Sequence, residues 1–187
     1  MAEQTLKEKT AKGLFWGGLS NGVQQVLNLV FGLMLARILD ASDYGMVGML
    51  AIFSAIASTI QESGFTAALT NQKEIRHEDY NAVFWFSTLT GVSFYLILFF
   101  CAPLIAQFYD KPELIGLSRI VFLSFLFGGF GIASNAYMFK TLMVKERAKI
   151  DIISLICSGT IGVLLALNGF AYYGLAIQTT AYIGIGS

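Results

Sequence analysis

Residues 82–106 read AVFWFSTLTGVSFYLILFFCAPLIA, an apolar stretch rich in Phe and Leu with no charged side chain. A helix that crosses the hydrocarbon of a bilayer needs about 20 mainly apolar residues, so this stretch predicts a membrane span. Its neighbours repeat the pattern. Upstream, apolar runs cover Gly13 to Ala36 and Tyr44 to Ile60, separated by the polar turn Arg37 to Asp43. Downstream come Leu114 to Met138, Ile152 to Leu167, and Ala171 to Ser187. The breaks are Tyr109-Asp110-Lys111-Pro112-Glu113, the basic and helix-like linker Lys140 to Asp151, and the turn signal Asn168-Gly169. Pro112 suits the first turn of a helix, where its missing N–H costs nothing. The expected fold is all-α: a polytopic transmembrane bundle of about six spans behind a tail of residues 1–12.

Composition agrees. Charged residues make up 13% of the chain and hydrophobic residues 56%, whereas a soluble domain carries about 25% charged residues. Such a chain cannot cover a water-facing surface in the ordinary way. Twelve Lys and Arg balance twelve Asp and Glu, which argues against a nucleic-acid partner, since that would favour a basic face. Cys101 and Cys157 lie inside apolar runs and read as small packed hydrophobes. The first apolar run is too long for the h-region of a signal peptide. No charge follows Asp151 and the sixth run has no polar exit, so the chain reads as the first part of a longer one whose C-terminal half is missing.

Orientation follows the distribution of Lys and Arg near the span ends. With the N-terminus inside, nine of the twelve are cytoplasmic (Lys7, Lys9, Lys12, Lys73, Arg76, Lys140, Lys145, Arg147, Lys149), and Arg37, Lys111 and Arg119 lie on the other side.

The polar residues inside the spans are the functional candidates. Asn21, Gln24, Gln25 and Asn28 fall at i, i+3, i+4 and i+7, which places four amides on one helix face. Lipid offers them no partners. They either hydrogen-bond to other helices, worth roughly 0.6–2 kcal/mol per contact, or line a hydrated cavity, where amides both donate to and accept from sugar hydroxyls. Arg119 lies about 10 Å into its helix at 1.5 Å per residue; it either snorkels to the outer surface or meets an anion such as a pyrophosphate or an acidic sugar. Arg37 is expected to pair with Asp40 or Asp43. Glu62, at the end of the second span, is an interfacial residue or a titrating group. Gly48, Ala51, Ala55 and Ser58 have the spacing of a close-packing seam. The basic residues of the 140–149 linker read as a topology signal attracted to anionic membrane lipids, at about 1 kcal/mol each, or as a capture point for a phosphate-bearing lipid. Signals for an enzyme are missing: no catalytic constellation, no nucleotide-binding glycine motif, no cofactor motif, and no metal site in a chain whose sole histidine is His77.

Several short motifs occur in a fixed order. Lys12-Gly13-Leu14-Phe15-Trp16 enters the first span, and Leu35-Ala36-Arg37-Ile38-Leu39 and Asp43-Tyr44-Gly45 follow it. Then come Ser63-Gly64-Phe65, Ala67-Ala68-Leu69, Val83-Phe84-Trp85, Ala102-Pro103-Leu104-Ile105-Ala106, Phe108-Tyr109, Ala166, Gly169-Phe170 and Gln178. Together these resemble the N-terminal part of polysaccharide biosynthesis flippases, the Wzx-like and teichuronic-acid-exporter-like members of the multidrug/oligosaccharidyl-lipid/polysaccharide exporter superfamily. Asp40, Ala41 and Tyr173 depart from the usual Gly, Pro and Trp of that pattern, which leaves substrate choice open. The resemblance implies two helical bundles around a central cavity, of which this chain supplies roughly one. It also implies movement of an undecaprenyl-pyrophosphate-linked oligosaccharide across a bacterial cytoplasmic (inner) membrane by alternating access, coupled in some members to a cation gradient. The alternatives are a drug/cation antiporter of the same superfamily, which needs a mid-span carboxylate that this sequence does not display, or a non-transporting scaffold subunit. The orientation gives a direct test: a cysteine placed at position 145 should react with an impermeant maleimide only from the cytoplasmic side, and one at 111 only from outside.

Overall fold

A computed structural model of the protein describes residues 2–62, 77–141 and 143–187. Ser63-Gly64-Phe65, Ala67-Ala68-Leu69, Lys73 and Arg76 lie outside the described residues, as does the side chain of Glu62. Among the described residues six helices follow in order: α1 Ala2–Ile38, α2 Ala41–Glu62, α3 His77–Phe108, α4 Leu114–Lys140, α5 Val144–Leu167 and α6 Ala171–Gly186. In hydrocarbon each backbone N–H and C=O must be satisfied within the chain, and a helix does this inside one segment. Five of the helices are long and apolar enough to cross a membrane; α6, at 16 residues, is shorter than the other five. The protein is therefore a polytopic helical bundle. The tail and the 140–151 linker are not separate elements. Residues 2–12 run continuously into α1, and Val144 to Asp151 form the first turns of α5.

Local chemistry sets the helix ends. Asp40 precedes α2, and its N–H donates to the Asp43 carboxylate at 3.1 Å, as an acidic residue in the first turn does in a capping box. α3 closes with Asp110 at φ 53° and a bond from the Lys111 N–H to the Ala106 carbonyl at 2.9 Å. α5 closes in the same way, with Gly169 at φ 84° and the Phe170 N–H on the Leu165 carbonyl at 3.0 Å. Both are six-to-one closures around a left-handed residue. Pro112 sits in the turn just ahead of α4, where its carbonyl accepts the Ile115 N–H.

α4 is the centre of the bundle, flanked by α3, α6 and α2. The main core joins Met46, Leu50 and Ala57 of α2, Ile105 and Ala106 of α3, Leu117, Phe122 and Phe125 of α4, and Ala176 of α6. Two buried hydroxyls stitch it: Ser87 donates to the Gly129 carbonyl at 2.9 Å and Thr180 to the Ile120 carbonyl at 3.0 Å. α5 and α6 approach closely where a Cβ on Gly174 would stand 3.1 Å from the Gly162 carbonyl oxygen, the use small residues have between helices in lipid. α1 packs along α5, through a second core of Leu35, Leu39, Val163 and Ala166 with Phe31 against it.

Two expectations fail here. Gly48, Ala51 and Ala55 do not form a packing seam. All three are exposed, and no heavy atom lies within 4 Å of a Cβ built on Gly48. The larger residues Met46, Leu50 and Phe53 fill the contact with the core, which turns the small face outward. Cys157 is exposed on α5 and not packed, while Cys101 is half-buried; both are free thiols.

The α1–α5 contact turns on one glycine. A Cβ on Gly159 would stand 2.5 Å from ring carbons of Phe31. Gly159→Ala should therefore destabilise the bundle by about 1–3 kcal/mol through overpacking, partly offset by about 1 kcal/mol of helix propensity. Adding Phe31→Leu should restore most of the loss, read as the midpoint of thermal unfolding in detergent.

Candidate functional site

α1 has three distinct faces. Ser20, Gln24, Leu27, Phe31 and Leu35 are buried or half-buried on the side that meets α5. Leu19, Val23, Val26, Leu29, Val30 and Leu33 form an exposed apolar face suited to acyl chains. Between these lie Asn21, Gln25 and Asn28, all exposed, together with Gly18, Gly22 and Gly32. None of those three glycines has a heavy atom within 4 Å of a built Cβ. The amides share one side of the helix, as their spacing requires, but they divide into two groups. Gln24 turns toward the packed face and donates from Nε2 to Ser20 Oγ at 2.8 Å. Asn21, Gln25 and Asn28 form a strip of polar and small residues that no other described helix covers.

Arg119 is elsewhere. It projects from α4 against α3, with its guanidinium carbon 4.1 Å from the centroid of the Phe99 ring. Its Nε is buried and has no hydrogen-bond partner. α1 packs along α5, not along α3 or α4, so the structure does not bring Arg119 and the amide strip into one site. The guanidinium finds its first partner in a ring face, where the attraction is worth about 0.5–2 kcal/mol depending on desolvation. Arg37 also differs from expectation. Among the described residues it pairs with neither Asp40 nor Asp43; the Asp43 carboxylate instead accepts the Asp40 N–H.

The sequence reading missed a cavity of about 390 Å³ between α2, α4, α5 and α6, close to the helix ends that carry the basic residues. Ser58, Ser124, Asn135, Arg147, Asp151, Tyr182 and Ser187 supply its polar lining. Arg147 Nε and Asp151 Oδ1 are 3.0 Å apart. Asn135 Oδ1 is buried without a partner. The one visible signal is the i, i+4 spacing of Arg147 and Asp151, at the end of the basic linker. A second cavity of about 370 Å³ lies at the opposite end, where Asp43, Lys111, Glu113 and Tyr172 meet Met46 and Met49.

A membrane bundle with a polar strip on its first helix is the setting in which the comparisons with known proteins apply. The chain matches the family described as "Polysaccharide biosynthesis protein" over residues 34–186. It belongs to that family. The chain is similar to the lipopolysaccharide biosynthesis protein WzxC of Escherichia coli K12, at 27% identity over 76% of this chain and 28% of that protein. It is similar to the teichuronic acid biosynthesis protein TuaB of Bacillus subtilis 168, at 26% identity over 82% and 32%. It is also similar to the succinoglycan biosynthesis transport protein ExoT of Rhizobium meliloti 1021, at 29% identity over 93% and 35%. The chain thus spans about a third of the length of these curated relatives. No solved structure gives a significant match.

The cation–π assignment of Arg119 can be measured apart from function. Arg119→Met and Phe99→Leu should each lower the unfolding free energy, and a double-mutant cycle should return a coupling of about 0.5–2 kcal/mol. Zero coupling would mean that the guanidinium is held by something other than the ring.

Proposed function

We propose that this chain is the N-terminal bundle of a transporter that moves a lipid-linked oligosaccharide across the bacterial cytoplasmic membrane, for the building of a cell-surface polysaccharide. The observation that carries this reading is the strip of Asn21, Gln25 and Asn28, which is exposed and uncovered between a packed face and an apolar face of α1. Hydrocarbon cannot satisfy these amides, so the strip belongs against water, glycan or a further bundle. A glycan with many hydroxyls cannot enter hydrocarbon, because each unpaired polar group costs several kcal/mol. A wall of amides replaces those hydrogen bonds one for one, while the lipid tail of the substrate remains among acyl chains. The names of the relatives, which refer to lipopolysaccharide, teichuronic acid and succinoglycan, support a polysaccharide substrate class.

On this reading the chain binds and passes its substrate without covalent chemistry, so it is not an enzyme. The N-terminus is cytoplasmic, which puts the Arg147–Asp151 cavity at the inner surface and the Lys111 turn outside. Gln24 is engaged with Ser20, which makes Gln25 and Asn28 the informative pair. In the full-length gene, Gln25→Leu with Asn28→Leu should reduce glycan export at least tenfold while leaving protein abundance in the membrane unchanged. Undiminished export would refute the amide wall.

A further inference from the structure

We infer that the inner cavity between α2, α4, α5 and α6 is a saccharide subsite built within this bundle, separate from the α1 strip; the inference rests on the reading of the chain as part of a glycan transporter. At about 390 Å³ it lies at the small end of the range for ligand pockets, about 300–1,000 Å³, with room for one or two sugar rings.

Its lining selects against charge. Arg147 and Asp151 are paired at 3.0 Å and cancel each other. A metal cation entering the cavity would meet the guanidinium. A phosphate would meet the Asp151 carboxylate that already holds the guanidinium. Ser58 and Ser124 spend their hydroxyl hydrogens on the Ala55 and Val121 carbonyls, so each offers oxygen lone pairs to its surroundings. Asn135 Oδ1 is buried and accepts from nothing, a condition that costs about 1–3 kcal/mol until a donor arrives. The missing complement is therefore a set of hydroxyl donors on a neutral molecule. The planar ends of Asn135, Arg147 and Asp151 can each engage adjacent hydroxyls. Phe125 and Tyr182 in the same lining supply aromatic surface for the C–H faces of a sugar ring. A hexose carries all of these features, and a monovalent ion or a bare phosphate carries none of them together.

The test is direct binding, with the 187-residue protein in nanodiscs of phosphatidylcholine. Methyl glycosides of glucose, galactose and N-acetylglucosamine are the probes, read by saturation-transfer difference NMR. At least one glycoside should show transfer. Asn135→Leu and Asp151→Asn should each weaken it tenfold or more, and Cys157→Ala, on the exposed side of α5, should leave it unchanged. If Asn135→Leu alters the helical circular dichroism, Asp151→Asn carries the test, since it keeps the size of the side chain. Three results would overturn the subsite: no transfer from any glycoside, transfer that survives both variants, or inorganic phosphate displacing the glycoside at equal concentration. Export by the full-length Gln25→Leu/Asn28→Leu protein reports on α1, and glycoside binding reports on this cavity, so either reading can fail without the other.

Discussion

Hydrocarbon offers no hydrogen bonds, and most of this structure follows from that. Every backbone polar group in the apolar runs has to find a partner in its own segment, which leaves a row of helices and little else. The same constraint governs side chains. Ser87 and Thr180 are tolerated in the core because each reaches a carbonyl on a neighbouring helix. The hydroxyls of Thr90, Ser93 and Thr160 turn back to the carbonyl four residues earlier in their own helix. What cannot be settled in either way stands out: Asn21, Gln25 and Asn28 on α1, and Asn135 beside the Arg147–Asp151 pair. Ser54, Thr88, Ser154 and Arg119 Nε are also buried without a partner, but the α1 amides differ from them in being exposed, which points to contact with something outside the bundle.

The lengths of the apolar runs and the turn residues carried the fold almost completely. Asp110 and Gly169, in left-handed closures, stand inside the breaks read from sequence. A helix period also sufficed to place four amides on one side of α1. The period could not say which way that side faces, since this depends on partners supplied from far along the chain. Phe31 against Gly159 is such a partner, and it rotates α1 so that Gln24 turns inward while Gln25 stays out. The same ignorance of rotation misplaced the small residues of α2. Gly48, Ala51 and Ala55 have the right spacing for close packing, but the bulk of Met46, Leu50 and Phe53 decides the direction.

The cavity beside the Arg147–Asp151 pair was illegible for a different reason. Its lining comes from four helices, and no two of its polar residues except Arg147 and Asp151 share a local pattern. Arg119 shows the converse. An arginine inside an apolar run is conspicuous in sequence, yet its nearest partner is the ring of Phe99 on the preceding helix, a residue that looks like ordinary lipid-facing bulk.

The described helices are not held equally. α4 is gripped on three sides, whereas α1 leans on α5 along one flank. The molecule therefore has a stiff block and a strut. Tilting the strut breaks the Phe31–Gly159 seam and the small core beside it, and leaves the contacts among α2, α3, α4 and α6 intact. The polar edge of α1 is thus carried by the helix whose contacts are set apart from that block.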